Sequence, residues 1–370
     1  MTKLEWLTGT RIDLPSIAGK TVATLIVAAS DSKYKDRADY VCDGVSDQEE
    51  INNAKDALPT TGGRIILLEG TYIIDGRINL DKNNIVLEGQ GPGTVIKLKD
   101  GYDTGIDMIR VYNKSNIRIA NLKIDGNRDN VTKYYEHRGV MLDYYANKVK
   151  VEGLTIVNCN GPGIRVNNRS YYNIIIGNFI SGCGAPDVAG YAGGITIMQS
   201  NRNIVADNVC IANKEGGIYI GGGTVTADRN LVIGNVVQEN EGLAGIHLEG
   251  AQSYNIVAFN QCLRNKLDGI MLYDGVSHCS IIGNVCIENG QAADNVYSGI
   301  RLGYNCDYNN IQFNTCRIGG LTNRPKYGIS IDDADCDANI VTNNDLYNSG
   351  ATGSLNDGGT GTITAAGNRL

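Results

Sequence analysis

A glycine followed by a β-branched residue opens a short alternating segment eight times between residues 139 and 331. The eight glycines are Gly139, Gly163, Gly194, Gly217, Gly245, Gly269, Gly299 and Gly328, so the intervals run from 23 to 31 residues. A typical segment is Ile218-Tyr219-Ile220, in which apolar residues alternate with a variable one. A period of two places the apolar residues on one face of a strand and the variable residues on the other.

A second pattern, of asparagines, follows most of these segments. Pairs of asparagines five residues apart recur at Asn173/Asn178, Asn203/Asn208, Asn230/Asn235, Asn255/Asn260 and Asn309/Asn314. Asparagine tolerates left-handed backbone at turns, and stacked side-chain amides form hydrogen bonds between layers. The pattern predicts that these residues stack at the corners of a repeating coil.

Together the two patterns predict an all-β fold, a parallel β-helix of about ten coils with three short strands in each coil. At ~4.8 Å per coil the rod is roughly 50 Å long, and its two ends need caps. Ser46 and Glu49 have the spacing of a capping box, which predicts a helix near residues 47–58. We expect an extension or strand over 1–37, the β-helix over 38–349 and a C-terminal cap over 350–370.

Composition narrows the class of protein. The chain has 370 residues, 42% of them hydrophobic, 47 glycines without a period of three, and a net charge of −7. These values exclude a disordered chain and a collagen-like fibre, and the acidity argues against nucleic acid as a partner. No apolar segment is long enough to cross a bilayer, and residues 1–20 lack the apolar core of a signal peptide. Localisation therefore stays open, with a virion or an extracellular position reached by another route among the alternatives.

The ten cysteines are predicted to be buried thiols rather than disulfides or metal ligands. No two of them form a C-x-x-C pair, and most occupy repeat positions that Val, Ile or Asn fill in other coils. We therefore expect them to pack inside the coil as small apolar side chains.

Residues 38–47, Gly62-Gly63 and the segment 68–72 resemble the opening of pectate-lyase-like right-handed β-helix proteins. That family begins with a D-G-x-x-D helix start followed by a G-G-x-(V/I)-x-(L/F)-x-x-G-x-Y strand pair, and the resemblance extends over about residues 38–349. It implies binding or cleavage of a polysaccharide along the flank of the rod, as in lyases, hydrolases, epimerases and phage tailspikes. The polygalacturonase Asn-Thr-Asp and Gly-His-Gly motifs, the epimerase Asp-Pro-His motif and the pectate-lyase Trp-x-Asp-His motif are absent.

The outward positions of the Gly-Ile strands carry the candidate site. Aromatic rings and charged groups are concentrated there on neighbouring coils, a mixture that suits sugar stacking and hydroxyl binding. The candidate substrate-binding residues are Arg165, Tyr219, Tyr273, Tyr304 and Asp332, and the candidate catalytic residues are His247, Glu249, Asp274, Arg301 and Asp333.

Two reactions fit these candidates. For hydrolysis, Asp274 and Asp333 share a turn position two coils apart, near ~10 Å, which is compatible with inversion. Glu249 and Asp274 on adjacent coils form a closer, retaining alternative. For β-elimination, Arg301 would bind a uronate carboxylate while His247 or Tyr273 accepts the C5 proton.

No cofactor is required by either reaction. Asp333, Asp335 and Asp337 alternate, and 125–129 has a similar spacing, but neither has the later Gly and Glu of an EF-hand, so Ca²⁺ has weak support. The first alternative function is a non-catalytic carbohydrate-binding or tailspike-like attachment protein, with which a homotrimer would be expected. The second alternative is a purely structural β-helix.

Overall fold

The protein winds into a ladder of coils whose strands all pair in parallel with the equivalent strands of the next coil. The computed structural model describes residues 23–131, 136–184, 193–364 and 367–370. Within these ranges the strands form three sheets, here called A, B and C, with 13, 10 and 11 strands. The predicted fold class, an all-β parallel β-helix of about ten coils, is confirmed.

The strands are numbered in chain order. Sheet A contains β1 (Thr24–Ala28), β2 (Tyr40–Val41), β3 (Gly63–Leu67), β6 (Ile85–Glu88), β9 (Arg118–Ala120), β12 (Lys150–Glu152), β15 (Ile174–Ile176), β18 (Ile204–Ala206), β21 (Leu231–Ile233), β24 (Ile256–Ala258), β27 (Ser280–Ile282), β30 (Asn310–Gln312) and β33 (Ile340–Thr342). Sheet B contains β4 (Gly70–Ile74), β7 (Thr94–Leu98), β10 (Lys123–Asp125), β13 (Thr155–Val157), β16 (Phe179–Ser181), β19 (Val209–Ile211), β22 (Val236–Gln238), β25 (Gln261–Leu263), β28 (Val285–Ile287) and β31 (Thr315–Arg317). Sheet C contains β5 (Ile78–Asn79), β8 (Ile106–Tyr112), β11 (His137–Asp143), β14 (Ile164–Val166), β17 (Gly193–Met198), β20 (Gly216–Gly221), β23 (Ile246–Glu249), β26 (Ile270–Tyr273), β29 (Ser298–Gly303), β32 (Tyr327–Ile331) and β34 (Gly353–Asp357).

The repeated glycines precede the strands of sheet C because the coil is tight at that corner. A Cβ atom on Gly217 would lie 2.2 Å from a methyl carbon of Val237 in the same coil. The isoleucine after each glycine points inward and is fully buried, as Ile218, Ile246 and Ile270 show. The alternation read from the sequence therefore gave the correct inner and outer faces.

The predicted asparagine ladder runs through eight successive coils at the corner between sheets A and B. From the second rung onward, each side-chain oxygen accepts hydrogen bonds from the backbone N–H and the side-chain amide of the asparagine one coil earlier, at 2.9–3.1 Å. The members are Asn178, Asn208, Asn235, Asn260, Asn284, Asn314, Asn344 and Asn368. Buried polar groups in folded proteins are hydrogen-bonded, and in this ladder every buried asparagine side chain has hydrogen-bond partners.

All ten cysteines are buried free thiols, as expected. Cys262, Cys286 and Cys316 are register partners in sheet B, and Val237 holds the same position one coil earlier. Burial raises the pKa of Cys210, so that thiol is protonated at neutral pH. The cysteines therefore act as small apolar core residues.

The helix α1 (Gln48–Ala57) covers the N-terminal end of the rod, with Ile51 and Ala54 buried. The predicted capping box is wrong: the N-cap is Asp47, which makes no side-chain cap bond, and Ser46 takes a left-handed φ of 55°. The Asp47 carboxylate instead accepts the backbone N–H groups of Gly44 and Ile73. It thus joins the helix start to strand β4.

Both ends of the rod extend its sheets. Strand β1 pairs with β3 and with β2, the edge strand, so part of the predicted extension belongs to sheet A. Strand β34 pairs with β32, and an isolated bridge joins Ile363 to Ile340. Residues 1–22 lie outside the described part of the chain, and the division at 37/38 and 349/350 stays a prediction.

Candidate functional site

The outer face of sheet C holds the candidate residues in one register column. Its successive members are Arg110, Met141, Arg165, Thr196, Tyr219, His247, Met271, Arg301 and Ser330. Two residues further along each strand, Glu249 lies beside Tyr273 in a second column. The sequence placed these side chains on the correct face and on the correct coils.

One group of these side chains is here called the His247 cluster. It comprises Tyr219, His247, Glu249, Asp268, Arg301 and Asp332. The Tyr219 hydroxyl donates a hydrogen bond to Glu249 Oε2 at 3.2 Å, and His247 Nε2 lies 3.8 Å from the same oxygen. The Tyr219 and His247 rings meet edge to face, with centroids 5.5 Å apart. Two aromatic rings and a carboxylate therefore share one patch of the sheet.

His247 is a buried, neutral imidazole. Its exposed fraction is 5%, and burial, helped by the charge of Arg301, lowers its pKa to about 4. Neither ring nitrogen has a hydrogen-bond partner within the described ranges. Burial also raises the pKa of Glu249, an effect that the Tyr219 hydrogen bond opposes and nearby Asp274 reinforces.

Asp268 belongs to the same cluster, although sequence reasoning missed it. It is 1% exposed, and burial raises its pKa to about 6 against the opposing effects of the Ser298 N–H and of Arg301. That N–H donates to Asp268 Oδ1 at 2.6 Å, and Arg301 Nη1 lies 3.9 Å from Oδ2. The residue directly before the repeated glycine is Gly, Ala, Ser or Pro in most coils, so an aspartate there was a detectable signal.

Arg301 lies between two carboxylates. Its Nε donates to Asp332 Oδ2 at 2.5 Å, and Asp268 lies on the other side. Burial alone would lower the pKa of Arg301, but Asp268 and Asp332 outweigh it and raise the pKa. One guanidinium with two carboxylates leaves no excess positive charge, which disfavours the predicted role of Arg301 as receptor for a uronate.

Asp274 and Asp333 lie on the turn after sheet C, with Tyr304 on the coil between them. Both carboxylates are exposed, and Asp333 Oδ2 accepts the backbone N–H of Tyr304 at 2.8 Å. The rings of Tyr273 and Tyr304 are 6.1 Å apart at a tilt of 31°. The turn therefore has a tyrosine pair beside solvated carboxylates, and the inverting role of this aspartate pair stays a prediction.

A second charged group occupies the earlier coils of sheet C and is here called the arginine cluster. It comprises Arg77, Asp107, Arg110, Glu136, Arg138, Asp143 and Arg165, of which the sequence had singled out only Arg165. Asp107 and Asp143 are buried, bonded at 2.8 Å by Arg138 and Arg110 respectively. Four guanidinium groups face three carboxylates, which leaves one excess positive charge.

Arg165, unlike Arg110 and Arg138, has no carboxylate of that cluster within hydrogen-bond distance. Its side chain is 17% exposed, and its closest carboxylate, Glu136, is 3.6 Å away. Burial and the charge of Arg138 lower its pKa, so an incoming anion would be favoured there. At the N-terminal side of the cluster a cavity of about 430 Å³ is lined by Gly76, Arg77, Asn79, Tyr102, Gly105 and Ile106.

One group of potential metal ligands occurs in the described part of the chain: Cys42, Asp47 and Glu50 beside helix α1. Asp47 is already bonded to two backbone N–H groups, and burial raises the pKa of both Cys42 and Glu50. This group therefore acts as part of the N-terminal cap. Ca²⁺ binding at 125–129 or 333–337 stays a prediction with weak support. No helix in the described ranges has the length and apolarity needed to cross a membrane.

Comparisons with known proteins agree with this architecture. A family model described as right handed beta helix region matches residues 104–286, and one described as periplasmic copper-binding protein (NosD) matches residues 221–369. No curated protein matches the sequence.

Solved structures give the same result at greater coverage. The mannuronan C-5 epimerase AlgE4 A-module of Azotobacter vinelandii has a TM-score of 0.70 at 23% identity, covering 87% of this chain and 97% of that one. The AlgE6 A-module of the same organism has a TM-score of 0.67 at 22% identity, covering 87% and 96%. The Dettilon tailspike protein gp208 has a TM-score of 0.58 at 18% identity, covering 83% and 64%. The chain therefore has the pectate-lyase-like right-handed parallel β-helix fold.

Proposed function

We propose that the protein is a polysaccharide-active enzyme that binds its substrate along the outer face of sheet C. The observation that carries this proposal is His247, which is buried and neutral beside Glu249 yet unbonded within the described ranges. A buried polar group left without a partner costs about 1–3 kcal/mol. A substrate hydroxyl that bonds to the imidazole would give this arrangement a function.

The His247 cluster has the groups that cleavage of a glycosidic bond needs. Cleavage requires a proton donor for the leaving oxygen and an acceptor for a proton from water or from C5. Asp268, with a pKa of about 6, is a carboxyl that can keep its proton close to neutral pH. His247 and Glu249 can accept a proton, and Arg301 holds Asp268 and Asp332 in place.

The arginine cluster supports an acidic glycan as the substrate. Arg165 lies in the same register column as His247, so a chain bound along the rod would pass over both. Guanidinium groups bind carboxylates strongly, and the buried Nε of this one has no hydrogen-bond partner within the described ranges. The likeness to mannuronan C-5 epimerases also supports this substrate class.

Hydrolysis and β-elimination both remain compatible with the geometry. In an elimination, Arg165, three coils or about 14 Å from His247, would bind the carboxylate of a neighbouring uronate of the chain rather than that of the reacting sugar. In a hydrolysis, Asp268 would act as the acid and Glu249 as the base or nucleophile. The Asp274/Asp333 pair stays the alternative acid and base, on the exposed turn.

The test is incubation of the protein with a panel of neutral and acidic polysaccharides. Three signals are followed together: new reducing ends, ultraviolet absorbance of an unsaturated product, and exchange of C5 protons for deuterium in D₂O. Reducing ends alone indicate a hydrolase, reducing ends with absorbance indicate a lyase, and exchange without cleavage indicates an epimerase. The absence of all three signals would contradict the enzyme proposal.

A second function fits the same face. A tailspike-like attachment protein would bind the glycan without turnover, and the likeness to the Dettilon tailspike supports it. This alternative includes the homotrimer expected from the sequence. Binding to a panel polysaccharide without any of the three signals would favour it. A rod that binds no glycan would leave the purely structural alternative.

A further inference from the structure

The outer face of sheet A is apolar over five consecutive coils. Nine of the ten outward side chains on β15, β18, β21, β24 and β27 are Ile, Leu or Ala, and the tenth is Ser280. The nine are Ile174, Ile176, Ile204, Ala206, Leu231, Ile233, Ile256, Ala258 and Ile282. The central residue Ile256 is 43% exposed. This face and its two edges over residues 172–313 are here called the sheet A patch.

The apolar character is confined to these five strands. On the earlier coils of the same sheet, outward Arg118 bonds Glu88 and Glu152, and Lys150 also contacts Glu152. On the later coil, β30 presents Asn310 and Gln312. The fold therefore does not require an apolar outer face here, and contiguous exposed apolar surface of this kind marks an interaction site.

The first edge of the patch is a ridge of aromatic and arginine side chains. Its members are Tyr172, Arg202, Arg229, Tyr254, His278 and Tyr308, each with a left-handed φ of 53–61°. The rings of Tyr254, His278 and Tyr308 follow one another at 5.3 and 5.0 Å, and Arg229 covers Tyr254 at 5.1 Å. Neither lysine nor glutamate occurs in the ridge or on the five strands. Tyr, Phe and Arg enrichment with Lys and Glu depletion is the composition of protein–protein interfaces.

The second edge alternates small and large residues in a specific order. Along the coils it reads Gly177, Asp207, Gly234, Phe259, Gly283 and Phe313. Phe259 and Phe313 are 63% and 59% exposed, whereas a Cβ on Gly177 would meet no atom within 4 Å. The first coil thus has an open position at Gly177, whereas on the later coils both phenylalanine rings are exposed and that of Phe259 lies over Gly283.

We propose that the sheet A patch binds a second copy of this chain through a two-fold axis that runs along the strands, between β21 and β24. This axis makes the two rods antiparallel. The first of the six coils then faces the sixth coil of the other copy, the second faces the fifth, and the third faces the fourth. Gly177 then faces Phe313, and Gly234 faces Phe259. Within the sheet, Ala206 faces Ile282, and Ile233 faces Ala258. In each of these four pairs a small residue meets a large one, as a self-complementary two-fold interface requires.

The area is sufficient for a stable dimer. Six coils at ~4.8 Å span about 29 Å, and sheet A with both edges is roughly 22 Å wide. Each copy would bury about 650 Å², or about 1,300 Å² in total, within the range of specific interfaces. Sheet C takes no part, so this inference is independent of the proposed function.

The first test is the mass in solution, by light scattering during gel filtration. The full chain has a mass of 39.7 kDa, and the proposal expects twice that value. Ile256→Glu places a charge in the centre of the patch and should yield monomer. Ile340→Glu is the matched control, since Ile340 is a 36% exposed outward residue of sheet A beyond the patch. It should stay dimeric. A monomeric or trimeric wild type, or a dimeric Ile256→Glu, overturns the proposal.

The second test fixes the orientation of the two copies. Chains with Ile174→Cys and chains with Asn310→Cys are mixed and treated with a short bismaleimide, because packed sheets are ~10 Å apart and a disulfide would not reach. The native cysteines are all buried. The antiparallel dimer cross-links only in the mixture, since two copies of position 174 would be ~24 Å apart. Cross-linking of Ile174→Cys with itself would overturn the antiparallel arrangement.

Discussion

The Tyr219 hydroxyl donates a hydrogen bond to the carboxylate of Glu249 across two adjacent coils, at 3.2 Å. The residues are 30 positions apart in sequence but only one strand apart in sheet C. A hydrogen bond to a carboxylate favours its charged form, whereas burial disfavours it. The protonation of Glu249 therefore depends on Tyr219.

Removing that hydroxyl should shift the pH profile of activity. In Tyr219→Phe the bond that lowers the pKa of Glu249 is lost, so burial raises the pKa further. If Glu249 acts as the base, the acidic limb of the profile moves to higher pH. Tyr347→Phe, at an exposed ring that packs against Arg369, is the control and should leave the profile unchanged. A profile that moves to lower pH in Tyr219→Phe would be inconsistent with this role.

The two titrating groups of the His247 cluster should have opposite effects on stability. Because the folded pKa of Asp268 is raised to about 6, its contribution is full at low pH and is lost as pH rises through 6. Because the folded pKa of His247 is lowered to about 4, its contribution is full above its unfolded value and is lost as pH falls through 4. The check is the melting temperature of Asp268→Asn and of His247→Phe, measured at several pH values between about 4 and about 6. Relative to wild type, Asp268→Asn should gain stability with rising pH and His247→Phe should lose it.

The asparagine ladder should matter most at its centre. Asn235→Ala removes the acceptor of the Asn208 N–H and the donor to the Val205 carbonyl, both buried. We expect a loss of about 3 kcal/mol in the free energy of unfolding, measured by denaturant titration. Asn368→Ala, at the half-exposed last rung, is the comparison and should cost clearly less. Equal losses at both rungs would show that burial does not set the cost.

Arg165 should discriminate between acidic and neutral glycans. Arg165→Gln removes the excess positive charge of the arginine cluster, so binding of an acidic oligosaccharide should weaken by about 10- to 100-fold. Binding of neutral glycans should not change. Arg169→Gln, at an exposed arginine bonded to the Tyr145 hydroxyl, is the control. Titration calorimetry with both glycan types measures the difference, and equal weakening for both would argue against a charge-recognition role.

The sequence could predict the parts of this structure that depend on the repeat alone. The Gly-Ile marks and the asparagine pairs gave the register, so Tyr219, His247 and Arg301 were assigned to the correct column. Spacing gives the separation between coils but not the solvation of a side chain. For that reason Asp274 and Asp333 were nominated although they are exposed, while buried Asp268 was passed over.

The rest required contacts between coils that sequence distance conceals. The arginine cluster joins side chains from four coils. These residues are far apart in the sequence, so the sequence alone does not show that their charges lie together. The prediction of the helix N-cap was wrong for a local reason: the Asp47 carboxylate accepts a hydrogen bond from strand β4, and Ser46 has a left-handed backbone conformation.

The central claim, that the outer face of sheet C turns over a polysaccharide, is tested most directly by Glu249→Gln. On a substrate identified from the panel, we expect kcat to fall by about 10²- to 10⁴-fold while binding is retained, because the amide cannot exchange a proton. Glu239→Gln, an exposed glutamate on another corner of the coil, should keep wild-type activity. Wild-type turnover by Glu249→Gln would contradict the account.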